Sequence, residues 1–334
     1  MANDRVMEEM THGLSQRLAA VLGVQAPCLL RGPVLRQQNS QIFYAECAGQ
    51  PFPLMIKQCT MPNTQVSDTR SARTQFDALQ RAWAMTAGER RYNVPTPVAL
   101  LEAEGIVVME WIEGDDMTSR LTGWGVSLSE RRQLVEEAAE WLRRFHHAGD
   151  LVPVRLAARK LLPRLTADPS PILADRFYRA GVAMLDRTRD VVEASEVTGG
   201  LLHGDFKSDN LLVCRNRITA IDLHLEDRDT LLFDISMFLN HLELLGLHPR
   251  GLRLATKTSE LVQAFLDRYF GATGGTAPLL PLAWVRLFVL LGAWVDLPDE
   301  NPGRARYHYM NFCYRRGARH LTRELSALAG NNLI

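Results

Sequence analysis

The sequence lacks several features that would assign it to common classes of binding protein. Lysine plus arginine and aspartate plus glutamate each number 38, so the 334-residue chain has no net charge to attract nucleic acid or an acidic membrane surface. It also has no basic run interleaved with aromatic residues, no internal repeat and no low-complexity tract. We therefore expect neither nucleic acid nor a membrane among its partners. The oligomeric state stays open.

The cysteine pattern and the apolar segments exclude further classes. The five cysteines are scattered and odd in number, and no two of them have C-x-x-C spacing. This pattern argues against a disulfide framework or a zinc site, and it fits reduced thiols in a cytoplasm. The start of the chain does not resemble a signal peptide. Pro281 and Arg286 interrupt the apolar stretch 279–297, which favours a buried helix over a membrane span. We expect a cytoplasmic protein.

The most informative stretch is LLHGDFKSDNLLV, residues 201–213. It contains His203, Asp205 and Asn210, and Asp222 follows twelve residues after Asn210. Protein kinases carry a catalytic loop H-x-D-x-x-x-x-N and then a metal-binding aspartate after a short strand. The aspartate of the loop orients the attacking hydroxyl, while the amide and the second carboxylate offer hard oxygen ligands to Mg²⁺. Turn formation by an aspartate and an asparagine five residues apart is the alternative reading.

The residues that follow this loop predict a β-hairpin. Apolar runs at 211–213 and 218–221 flank a polar turn at 215–217. The predicted catalytic groups then stand at the two open ends of the hairpin.

The segment resembles the aminoglycoside phosphotransferase and choline kinase family, the small-molecule branch of the kinase-like fold. The match consists of His203-Gly204-Asp205, Ile221-Asp222 and Asp234-Ile235-Ser236. The chain departs from the usual pattern at 229–231, where the family often has Gly-Asp-Pro, and at Lys207, where it often has histidine. Only eleven residues separate Asp222 from Asp234, too few for the activation segment of a protein kinase.

The resemblance implies an α+β, two-lobed, protein-kinase-like fold. Residues 1–113 would form a β-rich N-terminal nucleotide-binding lobe. Residues 114–334 would form a mainly helical C-terminal lobe that carries the catalytic and substrate-binding groups. In that second part, the sequence at 127–130 predicts a capping box at the start of a helix. Later helices are predicted at 235–247 and 259–270 and, as one long helix or a pair, at 304–328.

The N-terminal half contains a candidate for the phosphate-binding lysine. Lys57 lies in the apolar strand 54–59, where the V-A-I-K lysine of kinases pairs with the α- and β-phosphates. The family's helix should supply a glutamate to this lysine, but Gln75 stands at that position. Either Gln75 holds Lys57 through a neutral hydrogen bond, or another carboxylate such as Asp77 or Asp68 holds it.

The remaining cofactor contacts are expected in two segments. Met109 would lie behind the purine, and the backbones of Glu110 and Ile112 would offer a carbonyl and an N–H to its edge. The phosphate loop is poor in glycine, and Ser40 belongs to a polar turn whose N–H groups would face phosphate. A plain hairpin turn is an equally good interpretation of that segment.

These residues predict Mg²⁺-dependent transfer of the γ-phosphate of ATP or GTP to a hydroxyl of a small molecule. Asp205 would orient or deprotonate the hydroxyl, and Asn210 and Asp222 would hold the metal. Lys207 would either reach the γ-phosphate, as the matching lysine of protein kinases does, or lie unused in solvent. An aminoglycoside, an amino alcohol and a sugar are all open as acceptors. The alternative is a weak or inactive pseudokinase that binds nucleotide as a scaffold, which Gln75 and the glycine-poor loop favour.

Overall fold

The computed structural model of the chain describes residues 13–25, 28–36, 39–62, 64, 66–167, 169–247, 251, 254, 256–272, 274–297 and 304–332. Backbone packing divides the chain into two units. Unit 1 consists of Met1–Gly114 and Leu212–Leu223, and unit 2 consists of Asp115–Leu211 and His224–Ile334. Both strands and helices are abundant, as the predicted α+β class requires.

Unit 1 is built on a five-stranded antiparallel sheet with the strand order β1-β2-β3-β6-β5. Residues 13–22 are helical and are called α1. The other elements of this N-terminal part are β1 (Leu29–Arg36), β2 (Ser40–Glu46), β3 (Leu54–Cys59), α2 (Thr69–Met85), β4 (Tyr92–Asn93), β5 (Pro97–Leu101), a 3₁₀ turn (Glu102–Glu104) and β6 (Ile106–Glu110). Phe43, Ile56 and Val108 are fully buried on the sheet and form one core with Leu18 of α1. Along β2 and β3, buried positions are interleaved with partly exposed ones, as a strand with one face in the core requires.

The predicted hairpin forms, but it packs with the N-terminal segment. Its strands β10 (Leu211–Cys214) and β11 (Arg217–Ala220) are joined by a turn that includes Arg215 at a φ of 49°. The strand β11 pairs in parallel with β4, and Thr219 donates a hydrogen bond to Asn93 at 2.8 Å. Residues 212–223 therefore belong to unit 1, whereas the prediction assigned them to the segment 114–334. A two-residue strand such as β4 leaves no pattern that would reveal this pairing.

A disulfide between Cys28 and Cys47 shows that the expectation of five reduced thiols is wrong. The antiparallel register that pairs Leu29 with Glu46 brings the two cysteines opposite each other, with their Cα atoms 4.3 Å apart. The count is odd because Cys59, Cys214 and Cys313 stay free. The thiol argument therefore no longer supports the predicted cytoplasmic location.

Unit 2 is mainly helical. Its helices are α3 (Met117–Thr122), α4 (Leu128–His147), α5 (Ala158–Leu161), α6 (Arg176–Ala194), α7 (Leu232–Leu247), α8 (Thr258–Gly271), α9 (Leu279–Val295) and α10 (Arg304–Asn332). The capping box at Ser127 is confirmed, and the last predicted segment is one long helix. Within the described ranges, no helix is both long and apolar enough to cross a bilayer.

A small antiparallel sheet in unit 2 was not predicted. After the two-residue strand β7 (Asp115–Asp116), the chain forms β8 (Val152–Arg155), β9 (Glu196–Leu202) and β12 (Glu226–Thr230), in the sheet order β12-β9-β8. Charged residues in β8 and β12 and two glycines in β9 hide the usual strand pattern. The sheet matters for function because β9 delivers the chain directly into the loop 203–210.

Candidate active-site loop

The loop 203–210 begins with a backbone conformation that requires glycine. Gly204 has a φ of 85°, and a Cβ there would collide with the carbonyl oxygen of His224. A hydrogen bond joins the same two segments: the His224 N–H donates to the His203 carbonyl at 2.8 Å. The H-G-D sequence is thus a sharp, closely packed turn at the end of β9.

A buried carboxylate fixes the backbone of this turn. Asp234, at the start of α7, accepts hydrogen bonds from the N–H of His203 at 2.7 Å and the N–H of Gly204 at 2.9 Å. Asp234 therefore holds the backbone of the loop through two hydrogen bonds. Burial alone would raise the pKa of Asp234, but the hydrogen bonds from the His146 ring and from the His203 backbone N–H hold that pKa below its usual value.

His146 is a supporting residue that sequence reasoning missed. Its Nε2 lies 3.0 Å from the Asp234 carboxylate, and its Nδ1 lies 2.7 Å from the Tyr269 hydroxyl. The arrangement fits a ring whose Nε2–H donates to Asp234 and whose Nδ1 accepts from Tyr269. Since the three residues come from α4, α7 and α8, no local pattern could have connected them.

Aromatic rings enclose the other side of the loop. Phe206 stacks on Trp141 with ring centroids 5.5 Å apart, and the His203 ring meets both of them edge-on. Phe206 and His203 are fully buried. The loop is therefore anchored by packing at the very residues that flank Asp205.

The carboxylate of Asp205 contacts two other predicted site residues of unit 2, Lys207 and Asn210. The Lys207 amine lies 2.7 Å and 3.0 Å from its two oxygens. The Asn210 amide nitrogen donates to one carboxylate oxygen at 2.8 Å and to the Asp205 carbonyl at 2.9 Å. Because its nitrogen is turned toward Asp205, the amide oxygen of Asn210 is the atom directed elsewhere. The loop thus presents one carboxylate, one amine and one amide oxygen.

A second group of polar residues holds the far end of the loop. The hydroxyls of Thr118 and Ser208 lie 2.6 Å apart, and His241 Nε2 lies 3.4 Å from Thr118 and 3.7 Å from Asp209. Burial lowers the pKa of His241, although Asp209 opposes that effect. This histidine was not singled out from the sequence, since it shows only as one polar position within an apolar helix.

In unit 1, the structure brings together two other predicted residues. The Lys57 amine on β3 lies 2.6 Å from a carboxylate oxygen of Asp222, which follows β11 by two residues. Asp222 has a φ of 59°, in the left-handed region that aspartate visits more readily than most residues. Such backbone conformations cluster at functional sites.

None of the proposed helix partners of Lys57 contacts it. The Gln75 amide nitrogen donates to the Ser71 hydroxyl at 3.0 Å, and among the described residues no hydrogen bond joins Gln75 to Lys57. Asp68 caps α2 through the Ser71 N–H, and Asp77 lies 4.0 Å from Arg73. The carboxylate that holds the lysine comes from the hairpin.

The predicted purine-binding segment lies at the end of β6. Met109 is buried in the sheet opposite Met55, and Ile112 is also buried. The Glu110 carboxylate accepts from the Thr96 hydroxyl at 2.8 Å and lies 3.4 Å from Arg217. These contacts fix the side chain of Glu110, and its backbone N–H donates to the Thr96 carbonyl at 2.9 Å.

The structure places Ser40 in the sheet. It is the first residue of β2, pairs with Cys59 and is 1% exposed. Gln38, which lies in the same polar stretch of sequence as Ser40, is outside the described residues.

Gly114 lies at the end of the predicted purine-binding segment. It lets two backbones approach closely, because a Cβ there would lie 2.9 Å from the Val213 carbonyl oxygen.

The sequence matches the family model described as the phosphotransferase enzyme family (APH) over residues 59–279, more than half of the chain. The chain belongs to this phosphotransferase family. The match includes Lys57's neighbour Cys59 but begins just after the lysine itself, and it contains the whole loop, the hairpin and Asp234. No curated protein matches the sequence.

Solved structures share the fold of this phosphotransferase family member. A choline/ethanolamine kinase family protein from Mesorhizobium loti is 16% identical, with a TM-score of 0.60, and the match covers 95% of this chain and 98% of that one. Choline kinase LicA from Streptococcus pneumoniae is 14% identical, with a TM-score of 0.59 and coverage of 94% and 98%. Amicoumacin kinase hAmiN, in complex with AMP-PNP and Ca²⁺, is 15% identical, with a TM-score of 0.59 and coverage of 94% and 95%. The kinase-like fold predicted from the sequence is confirmed.

Proposed function

We propose that this chain transfers the γ-phosphate of ATP or GTP to a hydroxyl of a small molecule. The observation that carries the proposal is the Asp205 carboxylate, which is a quarter exposed and is held by Lys207 at 2.7 Å and by Asn210 at 2.8 Å. A general base must have a fixed carboxylate that an acceptor hydroxyl can reach. Asp205 meets both demands, since its backbone is anchored by burial while its side chain stays accessible.

In this mechanism Asp205 accepts the proton of the acceptor hydroxyl as the oxygen attacks the γ-phosphorus. The bond from that phosphorus to the β–γ bridging oxygen breaks, and the nucleoside diphosphate leaves with the bonding electron pair. Lys207 is already an ion-pair partner of that carboxylate and supplies a positive charge beside the reacting groups. Phosphoryl transfer depends mainly on positioning and on electrostatic stabilisation, so that few side chains need to act chemically. An aminoglycoside, an amino alcohol and a sugar all present suitable hydroxyls.

The donor chemistry of two predicted ligands fits Mg²⁺. The Asn210 amide oxygen is directed away from Asp205 because the nitrogen is bonded there, and Asp222 offers a carboxylate held at a fixed backbone conformation. Hard oxygen atoms of this kind are the ligands that Mg²⁺ prefers. When bound, the metal would neutralise charge on the nucleotide phosphates.

We assign nucleotide binding to unit 1. Lys57 would exchange its contact with Asp222 for the α- and β-phosphates, and the backbones of Glu110 and Ile112, with Met109 behind them, would read the purine. Ser40, in the strand, would contribute through its backbone at most, and Gln75 would act on Lys57 only after a change of side-chain conformation. The bound AMP-PNP and Ca²⁺ of the amicoumacin kinase support the use of a nucleotide and a divalent cation.

One observation favours the scaffold alternative. Within the part of the chain that the structure describes, α2 provides no carboxylate to Lys57, although active kinases use such a contact to hold this lysine. A pseudokinase of this kind would bind nucleotide without transferring its phosphate.

The deciding experiment measures product formation with ATP and with GTP, each with Mg²⁺, against a panel of aminoglycosides, amino alcohols and sugars. The proposal predicts a phosphorylated acceptor from at least one class and no transfer without the divalent cation. Nucleotide binding with no phosphorylated acceptor across the panel would favour the scaffold. A failure to bind either nucleotide would contradict both readings.

A further inference from the structure

A cavity of about 560 Å³ lies among the last four helices of unit 2. Its walls come from the C-terminal half of α7, the first turn of α8, Leu290 of α9 and one face of α10. None of its lining residues belongs to the loop 203–210 or to the residues proposed above for phosphate transfer. The cavity therefore needs its own explanation.

One wall of this cavity is basic. Arg316, Arg319, His320 and Arg323 recur along α10 with the spacing that puts side chains on one face of a helix. In the described part of the chain, none of these three arginines forms an ion pair. Their neighbour Arg315, which does not line the cavity, is paired with Asp175 at 2.7 Å. The cationic face is thus distinct from the paired charges elsewhere on the same helix.

The charge of this wall is not cancelled from the opposite side. Glu243 is the single carboxylate among the described lining residues, and it lies 2.7 Å from the guanidinium of Arg286. Arg286 is 4% exposed, so the pair is shielded from solvent and the charge of Glu243 is already compensated. The net charge that a ligand would meet is positive.

The first turn of α8 adds hydrogen-bond donors to the same cavity. Thr258 and Ser259 line it, and no side-chain cap accepts from the first N–H groups of this 14-residue helix. The Leu261 N–H donates to the Lys257 carbonyl at 3.1 Å, and the first N–H groups of an α-helix have no partner within the helix. A helix N-terminus carries a partial positive charge that favours an anion. The N-terminus of α8 and the arginines of α10 are independent features, and both favour a negatively charged ligand.

The floor of the cavity is apolar, since Leu244, Leu247 and Leu290 line it. We propose that the cavity binds a small polyanion, a compact molecule whose carbon skeleton carries two or more carboxylate or phosphate groups. Arginine forks match both kinds of anion. Arg316 and Arg323 are seven residues apart, which is about 10 Å along a helix, a separation that suits a ligand with more than one anionic group. The site is separate from the proposed reaction, and its occupancy does not depend on that reaction.

Titration calorimetry on the full chain, without Mg²⁺ or nucleotide, tests this site with two probes. Citrate represents polycarboxylates, and pyrophosphate represents compounds with adjacent phosphates. The variants are Arg319→Gln, Arg323→Gln and their combination. Arg306→Gln is the matched control, because Arg306 is exposed on α10 and does not line the cavity. Circular dichroism checks that each variant remains folded.

We expect at least one probe to bind the wild type, and the double variant to weaken that binding at least tenfold, since loss of one charge-assisted hydrogen bond corresponds to about ten- to hundredfold in affinity. Arg306→Gln should bind like the wild type. The proposal is overturned if neither probe binds, if both single variants bind like the wild type, or if the control loses as much affinity as they do. Pyrophosphate binding that the variants leave unchanged would belong to another site and would also contradict the proposal.

Discussion

Two kinds of aspartate support the candidate chemistry, and they differ in burial and in their partners. Asp205 in unit 2 and Asp222 in unit 1 are 25% and 31% exposed, and each is paired with a lysine. Asp234 is fully buried and is held by His146 and by two backbone N–H groups. Ion pairs at the surface contribute little to stability and open at little cost. A buried carboxylate that loses its partners is costly.

This difference in burial and partners indicates different roles: Asp205 and Asp222 for binding and catalysis, and Asp234 for holding the loop. The lysine-paired carboxylates can exchange their partner for a cation, a phosphate or a hydroxyl. The partners of Asp234 are parts of the fold, and they keep the backbone of the loop in one conformation. Substitutions at the two kinds of site should therefore have opposite effects on ligand-dependent and ligand-free properties.

The largest expected effect is at Asp222. Its replacement by alanine should abolish the thermal stabilisation by Mg-nucleotide. The free chain should lose only about 1–2 kcal/mol in unfolding free energy, since alanine is strained at a φ of 59° and a partly exposed ion pair is worth about 0–1 kcal/mol. The measurement is thermal shift with and without Mg-ATP or Mg-GTP. Asp77→Ala, which removes another carboxylate of unit 1 near the surface, is the control and should respond like the wild type. An undiminished shift in Asp222→Ala would refute the metal assignment.

Asp234→Asn should mainly lower the stability of the chain without ligand. An amide offers one acceptor oxygen in place of the two that Asp234 gives to the N–H groups of His203 and Gly204. We expect a loss of about 2 kcal/mol in the free energy of unfolding, the scale of a buried hydrogen bond to a charged group. Urea denaturation of the free chain measures it. A variant as stable as the wild type would show that the buried carboxylate does not fix the loop.

The contribution of Asp234 should depend on pH with a definite sign. Its pKa is lower in the folded chain than its usual value, so the unfolded chain takes up the proton first as the pH falls. The stability difference between the wild type and Asp234→Asn should therefore be complete near neutral pH and shrink below about pH 4, the ordinary pKa of aspartate. Denaturation midpoints of both proteins across this range provide the test. A difference that grows on acidification contradicts the direction of the shift.

The smallest effect is expected at Tyr269. Tyr269→Phe removes the hydroxyl that lies 2.7 Å from Nδ1 of His146 and leaves that buried nitrogen without this partner. We expect a loss of about 1 kcal/mol in unfolding free energy. Tyr44→Phe, at a hydroxyl bonded to the exposed Glu46, is a suitable control and should change little. Equal losses in the two variants would mean that the link from Tyr269 to His146 does not support Asp234.

The parts of the site that were predictable are those in which neighbours along the chain are also neighbours in space. Asp205, Lys207 and Asn210 lie within six consecutive residues of the loop. The hairpin that leads to Asp222 is formed by two strands adjacent in the sequence. The capping box at Ser127 is likewise a contact between residues three apart. For such local features, the residue types and their spacing in the sequence are enough to predict which residues contact each other.

The parts that were not predictable depend on distant segments. His146 meets Asp234 across 88 positions, and Lys57 meets Asp222 across 165. The disulfide of Cys28 and Cys47 follows from the pairing of two strands, which the cysteine spacing alone does not reveal. The family resemblance indicates Lys57, but it predicts a partner on α2, where Gln75 bonds to Ser71 instead.

The most direct test of the account is the turnover of Asp205→Asn, measured together with its nucleotide affinity. The substitution keeps the size of the side chain and removes its charge, so nucleotide affinity should stay near that of the wild type. Transfer to the best acceptor should fall about 10²-fold or more, the scale of a general base. Asp190→Asn, an exposed aspartate paired with Arg159, is the control. A transfer rate in Asp205→Asn similar to that of the wild type would contradict the central claim.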